Sequence, residues 1–164
     1  MNLFLWGALP YIAFTFLIVG TLVRFFYFER NWTTKSSEFL EKKQLRIANP
    51  LFHFGLLCVI GGHVVGVLVP KTWTAAMGIN DHMYHEGALY MGAVAGIIFI
   101  VGFLLLMKRR FTVAELKVNT SRLDKWLYLF LTLAIFSGMA GTLLNASGFF
   151  DYRVSIGPWF RSLL

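Results

Sequence analysis

The chain has 164 residues, of which 57% are hydrophobic and 14% charged, with a formal net charge of +7. An ordinary globular domain has about a quarter of its residues charged, so a soluble core wrapped in a polar coat is excluded. Four charge-free apolar stretches each meet the roughly 20 residues needed to cross a hydrocarbon core, and the expected fold is all-α: a polytopic transmembrane bundle in a single membrane domain, residues 1–164.

The first stretch, 3–23, has no lysine or arginine ahead of it and Arg24 just behind it. A cleaved signal peptide has the opposite layout, so a retained helix is expected, kinked at Pro10. The connection 24–49 mixes both signs of charge in ERNWTTKSSEFLEKKQLR. Its Ser36, Ser37 and Glu38 to Leu45 segment reads either as a short amphipathic helix at the membrane face or as a solvated loop.

The second stretch, 50–69, carries His53 and His63, and an ionisable ring in hydrocarbon is a functional candidate by default. Ten helical residues rise about 15 Å and stop some 80° short of three turns, so the rings differ in depth and sector. One ion cannot bind both, since ligand nitrogens must lie about 2 Å from the metal. Two cofactors at two depths fit the spacing, with haem the natural candidate; hydrogen bonding between helices fits it as well. Gly55, Gly61, Gly62 and Gly66 would let a macrocycle approach the backbone, but Gly62 with Gly66 and Gly92 with Gly96 also match the small-xxx-small pattern of helix packing, which is the favoured expectation. Cys58 reads as a small buried residue.

Beyond a short connection holding His82, Tyr84, His85 and Glu86 come the third stretch, 87–107, the connection 108–125 and the fourth stretch, 126–150. Twelve of the fifteen lysines and arginines fall in connections 24–49 and 108–125, which the positive-inside rule assigns to the cytoplasm. The N-terminus is then outside, His53 near the cytoplasm and His63 nearer the exterior. Membrane topology accounts for the positive charge, and no nucleic-acid partner is implied. Arg109 and Arg110 serve that topology, and either guanidinium also suits a carboxylate such as a haem propionate.

The run from His53 to Pro70, together with Trp32, SSEFLEKKQ, the Lys108–Arg110 triplet and DYRVSIGPWFRSL at Asp151 to Leu163, resembles the gamma subunit of respiratory nitrate reductase, a di-haem cytochrome b membrane anchor. The resemblance runs the length of the chain. It implies five transmembrane helices and two b-type haems held by four histidines, with His53 an axial ligand of the cytoplasmic-side haem and His63 of the outer-side haem. The opposite ligands would lie on a fifth helix absent from this chain, so a fragment is expected.

The resemblance further implies a multi-pass protein of the bacterial cytoplasmic membrane, working in anaerobic nitrate respiration as one subunit of a quinol-dependent enzyme. Menaquinol or ubiquinol would be oxidised near the outer face, and electrons would pass inward to an iron–sulfur beta subunit and a molybdenum-containing alpha subunit, where nitrate is reduced. Quinol oxidation needs a proton acceptor near neutral pH, a role suited to histidine or carboxylate; His85 and Glu86 are the candidates, with a solvated interfacial cluster the competing reading. Two other functions stay open: a membrane anchor without haem, and a haem b, quinone-linked anchor of a different oxidoreductase.

Overall fold

The computed structural model describes residues 2–28, 38–149 and 151–164. All regular structure among them is helical, and four helices are long and apolar enough to cross a membrane: Phe4–Tyr27, Lys43–Leu68, Asp81–Thr112 and Arg122–Ala146. The chain divides into two units, residues 1–39 with Leu163 and residues 40–162 with Leu164.

In the first unit a π-helical turn, Phe4–Ala8, runs directly into α1, Leu9–Tyr27. Pro10 stands one turn inside the continuous helix Phe4–Tyr27, where its missing N–H leaves a carbonyl of the preceding turn without its usual partner. The irregularity expected at Pro10 is therefore the π turn just before it. No residue of α1 is buried, in keeping with an apolar helix whose surroundings are themselves apolar.

The second unit opens with α2, Lys43–Leu68, which starts seven residues ahead of Pro50. Pro50 is a favoured first residue of a helix, yet here it lies inside one, at the cost of one backbone bond. What carries the helix back is Glu41, whose Oε1 accepts from the Gln44 N–H at 2.8 Å and satisfies one of the orphan donors of the first turn. No separate amphipathic helix forms at Glu38 to Leu45: residues 38–40 make a turn, and 43–45 belong to α2. Ser36, Ser37 and Trp32 lie outside the described residues.

A short helix α3, Lys71–Ala76, leads to α4, Asp81–Thr112. Asn80 caps α4, its Oδ1 accepting from Met83 N at 2.7 Å, while Arg109 and Arg110 close its last turn, where cations complement the helix dipole. After α5, Ala114–Val118, a Ser121–Asp124 capping box begins α6, Arg122–Ala146. Gly148, at φ +72°, ends α6 in a left-handed conformation that costs glycine little. A final helix α7, Ile156–Arg161, packs against α2.

The centre of this unit is the antiparallel crossing of α2 and α4. A Cβ added at Gly55 would strike the backbone of Phe99, and one added at Gly102 would strike the backbone of Leu51 and Phe52. Phe52 fills the crossing against Phe99 and Phe103, with ring centroids 5.3 and 6.4 Å away. The packing glycines are therefore not those matching the four-residue pattern. Gly62, Gly92 and Gly96 have open space at the Cβ position, and Gly66 meets a tyrosine ring. Cys58 is exposed, contrary to its expected burial, because position 58 lies off the side of α2 that meets α4.

Candidate functional site

The two histidines of α2 share one local arrangement. His53 Nδ1 lies 2.9 Å from the Asn49 carbonyl oxygen and His63 Nδ1 lies 2.7 Å from that of Val59. A carbonyl oxygen only accepts, so in both rings Nδ1 carries the proton and donates it. In that tautomer the lone pair of Nε2 is not used by the bond to the helix, the arrangement that an axial metal ligand requires. Both rings are exposed.

Their sectors differ as the ten-residue spacing demands. His53 stands about 100° around α2 from Phe52, on the flank of the crossing, with the two rings edge to face at 5.2 Å. His63 is eleven residues from Phe52, about 20° away in projection, and so lies on the side of α2 that meets α4 lower down. It is nevertheless exposed, and beside it Gly61 and Gly62 have nothing within 4 Å of an added Cβ. The chain thus leaves room at His63 for a flat group to lie against the helix, and the donor set fits haem: one imidazole at each depth with Nε2 presented. Among the described residues no group of three or more His, Cys, Asp or Glu side chains is arranged to hold a metal.

The end of the unit near His53 is closed by ion pairs. Arg109, 3% exposed, donates from Nε to Glu41 Oε2 at 2.7 Å and from a terminal nitrogen to the Glu41 carbonyl. As a propionate partner Arg109 is thus already engaged, since Glu41 takes the carboxylate position. Arg110 donates to Asp124 Oδ2 at 2.9 Å, and its buried Nε has no partner among the described residues.

The Gln44 N–H, followed by Arg109, holds the Glu41 carboxyl below its ordinary value of 4.5, against the opposing effect of burial. A carboxyl depressed on folding contributes stability that is present above its unfolded value and is lost as pH falls through the lower folded value. Thermal melts should accordingly be level from neutral pH to about pH 5 and decline below about 4.5, and a Glu41→Gln protein should lose that part of the decline. Equal pH profiles for the two proteins would contradict this.

At the other end, His85 and Glu86 diverge around the first turns of α4. Successive helical residues point about 100° apart, and Glu86 faces His82, one turn earlier, at 3.6 Å with both side chains largely exposed. The organised polar cluster lies elsewhere, around a residue that sequence reasoning treated only as an outer-side charge. Arg153 is 7% exposed. Its guanidinium donates to Thr74 Oγ1 at 3.0 Å and Asp81 Oδ1 at 3.3 Å, and lies 3.7 Å from the centroid of the Tyr84 ring, a cation–π contact worth about 0.5–2 kcal/mol.

Lys71 bridges Asp81 at 3.3 Å and Asp151 at 3.4 Å, and Arg161 donates to the Val67 carbonyl at 2.6 Å, meeting one of the last carbonyls of α2. The segment after α6 is thereby fastened over the C-terminal end of α2. The available signal was the opposition of Lys71 and Arg153 to Asp81 and Asp151 on one side of the membrane, but charge sorting counts such residues without pairing them.

A family model described as nitrate reductase gamma subunit matches residues 2–164. The chain is 45% identical over 161 residues to the nitrate reductase gamma chain of Bacillus subtilis, covering 98% of this chain and 72% of that one. It is 40% identical over 161 residues to the nitrate reductase-like protein NarX of Mycobacterium tuberculosis, covering 96% of this chain and 25% of the relative. With the respiratory nitrate reductase 1 gamma chain of Escherichia coli the identity is 30% over 124 residues, 76% of this chain and 55% of that one.

Proposed function

Because the chain belongs to the nitrate reductase gamma subunit family, we propose that it serves a membrane-bound respiratory nitrate reductase of the bacterial cytoplasmic membrane by oxidising quinol near the outer face and delivering the electrons inward to an iron–sulfur partner. The molybdenum-containing partner, and not this chain, reduces nitrate. The observation that carries the reading is the shared geometry of His53 and His63, each at a different depth with Nδ1–H tied to its own helix and Nε2 not used by that bond.

His53 would hold the haem on the cytoplasmic side and His63 the one nearer the exterior, each through Nε2. Bound there, haem supplies one-electron transfer through its iron. The backbone carbonyls of Asn49 and Val59 keep both rings in the ligating tautomer and orientation. Arg110, with a spare donor at Nε, is the better propionate partner of the two arginines, while Arg109 and Glu41 fasten α4 to the start of α2. His85 or Glu86, at the outer end of α4, takes a proton from quinol. Sidedness follows from the positive-inside reading, and an electron crossing the full field inward against an inside-negative potential costs about 2.3 kcal/mol per 100 mV, which the quinol–nitrate redox gap offsets.

The test is a reduced-minus-oxidised spectrum of the complete protein in its complex. Quinol should develop a b-type band and nitrate should bleach it. Absence of the band rejects haem binding and favours an anchor without haem; a band that quinol raises but nitrate leaves unchanged assigns the chain to another oxidoreductase. In the same spectra Arg110→Gln should lower haem content, and His85→Ala with Glu86→Gln should slow quinol reduction by about a hundredfold. Unchanged values remove those residues from their roles.

A further inference from the structure

The tail segment does more than cover the end of α2: it sets an aromatic hydroxyl beside the turn that bears His63. A Cβ added at Gly66 would lie 3.2 Å from the Tyr152 ring and 3.4 Å from its hydroxyl oxygen, so the ring sits close against α2 at that point and an alanine there would press it back by a few tenths of an ångström. Gly66 is three residues beyond His63, about 4.5 Å along the helix and 60° around it. Tyr84 of α4 neighbours Tyr152. Burial, then Tyr84, pushes the Tyr152 phenol up to about 12, so it remains a protonated donor at any physiological pH.

We propose that the phenols of Tyr84 and Tyr152 form the polar wall that hydrogen-bonds the ring oxygen of a quinol or quinone bound beside His63, with Arg153 as the positioning residue behind them. This rests on the quinol reading given above. The chemistry suits both redox states of one ligand. A quinol presents hydroxyl donors and a quinone presents carbonyl acceptors, whereas a fixed amide or guanidinium donor serves only the second.

Phenol hydroxyls accept or donate according to the rotation of the O–H bond, so a neighbouring pair can meet either state without moving a heavy atom. Both tyrosines are half-buried, and their side chains are hydrogen-bonded to one another. Arg153 supplies the fixity. Clamped between Thr74 and Asp81 and seated on the Tyr84 ring, it ties α3, α4 and the tail together, and its backbone N–H is itself held by Asp151 Oδ1 at 2.8 Å.

The experiment uses the complete protein in its complex, with a short-chain naphthoquinone titrated by equilibrium dialysis and the matching naphthoquinol as electron donor. Tyr152→Phe and Tyr84→Phe keep the rings and remove the hydroxyls. Each should retain full haem content, weaken the naphthoquinone Kd about tenfold, as loss of a hydrogen bond in a half-buried site does, and raise KM with kcat little changed. The double variant should bind within about twofold of the weaker single one, because the hydroxyls act as a unit.

Arg153→Gln should reproduce the loss of affinity, and Arg153→Lys, which keeps the charge without the fork, should restore only part of it. Variants with full haem that bind naphthoquinone as the parent does overturn the proposal. So does loss of haem in Tyr152→Phe, which would assign that residue to packing. A parent protein that holds haem but binds no naphthoquinone overturns the quinol reading instead, so the two failures are distinguishable.

Discussion

Replacement of His63 by alanine is expected to remove about half of the b-type absorbance of the complete protein and to abolish its reduction by quinol, while the absorbance assigned to His53 remains. The physical ground is the separation of the two rings by ten residues of helix, about 15 Å of rise, which leaves neither able to substitute for the other. Loss even of a metal ligand's outer hydrogen-bond partner costs about 10–100-fold in affinity or activity, and loss of the ligand itself should exceed that.

The His53→Ala protein supplies the complementary result. Its outer centre should still be reduced by quinol, but the electrons should no longer reach nitrate. A reductant that bypasses the membrane subunit separates this block from a failure of the partner subunits. Equal loss of both signals in either single variant would show that the histidines serve one centre, contrary to their spacing.

The second large effect is expected at the crossing of α2 and α4. Gly102→Leu, and even Gly102→Ala, sets a side chain against the backbone of Leu51 and Phe52. Backbone cannot rotate aside as the end of a flexible side chain can. Overpacking of this kind costs about 1–3 kcal/mol, and more where the obstruction is rigid, so the variant should melt well below the parent and bind haem poorly at the His53 level. Gly55→Ala, which meets the Phe99 backbone, should behave alike.

Gly92→Ala and Gly96→Ala are the controls, since each added methyl enters open space and alanine is the better helix former by about 0.8–1.0 kcal/mol. Their melting should equal or exceed that of the parent protein. Destabilisation of similar size at Gly92 and Gly102 would mean that the crossing lies elsewhere.

This contrast among the glycines marks where sequence reading reaches its limit. Glycines spaced by four residues identify faces that permit close approach, yet close approach also needs a partner at the same height. Gly55 and Gly102 meet because α2 and α4 run antiparallel with one register, and that register depends on the whole contact surface, including Phe52 between Phe99 and Phe103. The absence of charge likewise bounded the second apolar stretch at Pro50, whereas the helix that contains it begins at Lys43, where Glu41 accepts from the Gln44 N–H. The pairing of Arg109 with Glu41 across 68 residues and that of Arg153 with Thr74 across 79 have no local signature.

From the sequence alone follow the four apolar helices and the family likeness, because hydropathy and length are properties of each segment by itself. So does the conclusion that His53 and His63 cannot share one metal, because helix pitch converts sequence spacing into depth and angle without reference to any neighbour. Only the tertiary structure decides which arginine keeps a donor to spare, that Arg153 is clamped between Thr74 and Asp81, and that the tail sets Tyr152 on Gly66 beside the His63 turn. These depend on which side chains meet across distant parts of the chain, and packing, not local propensity, determines that.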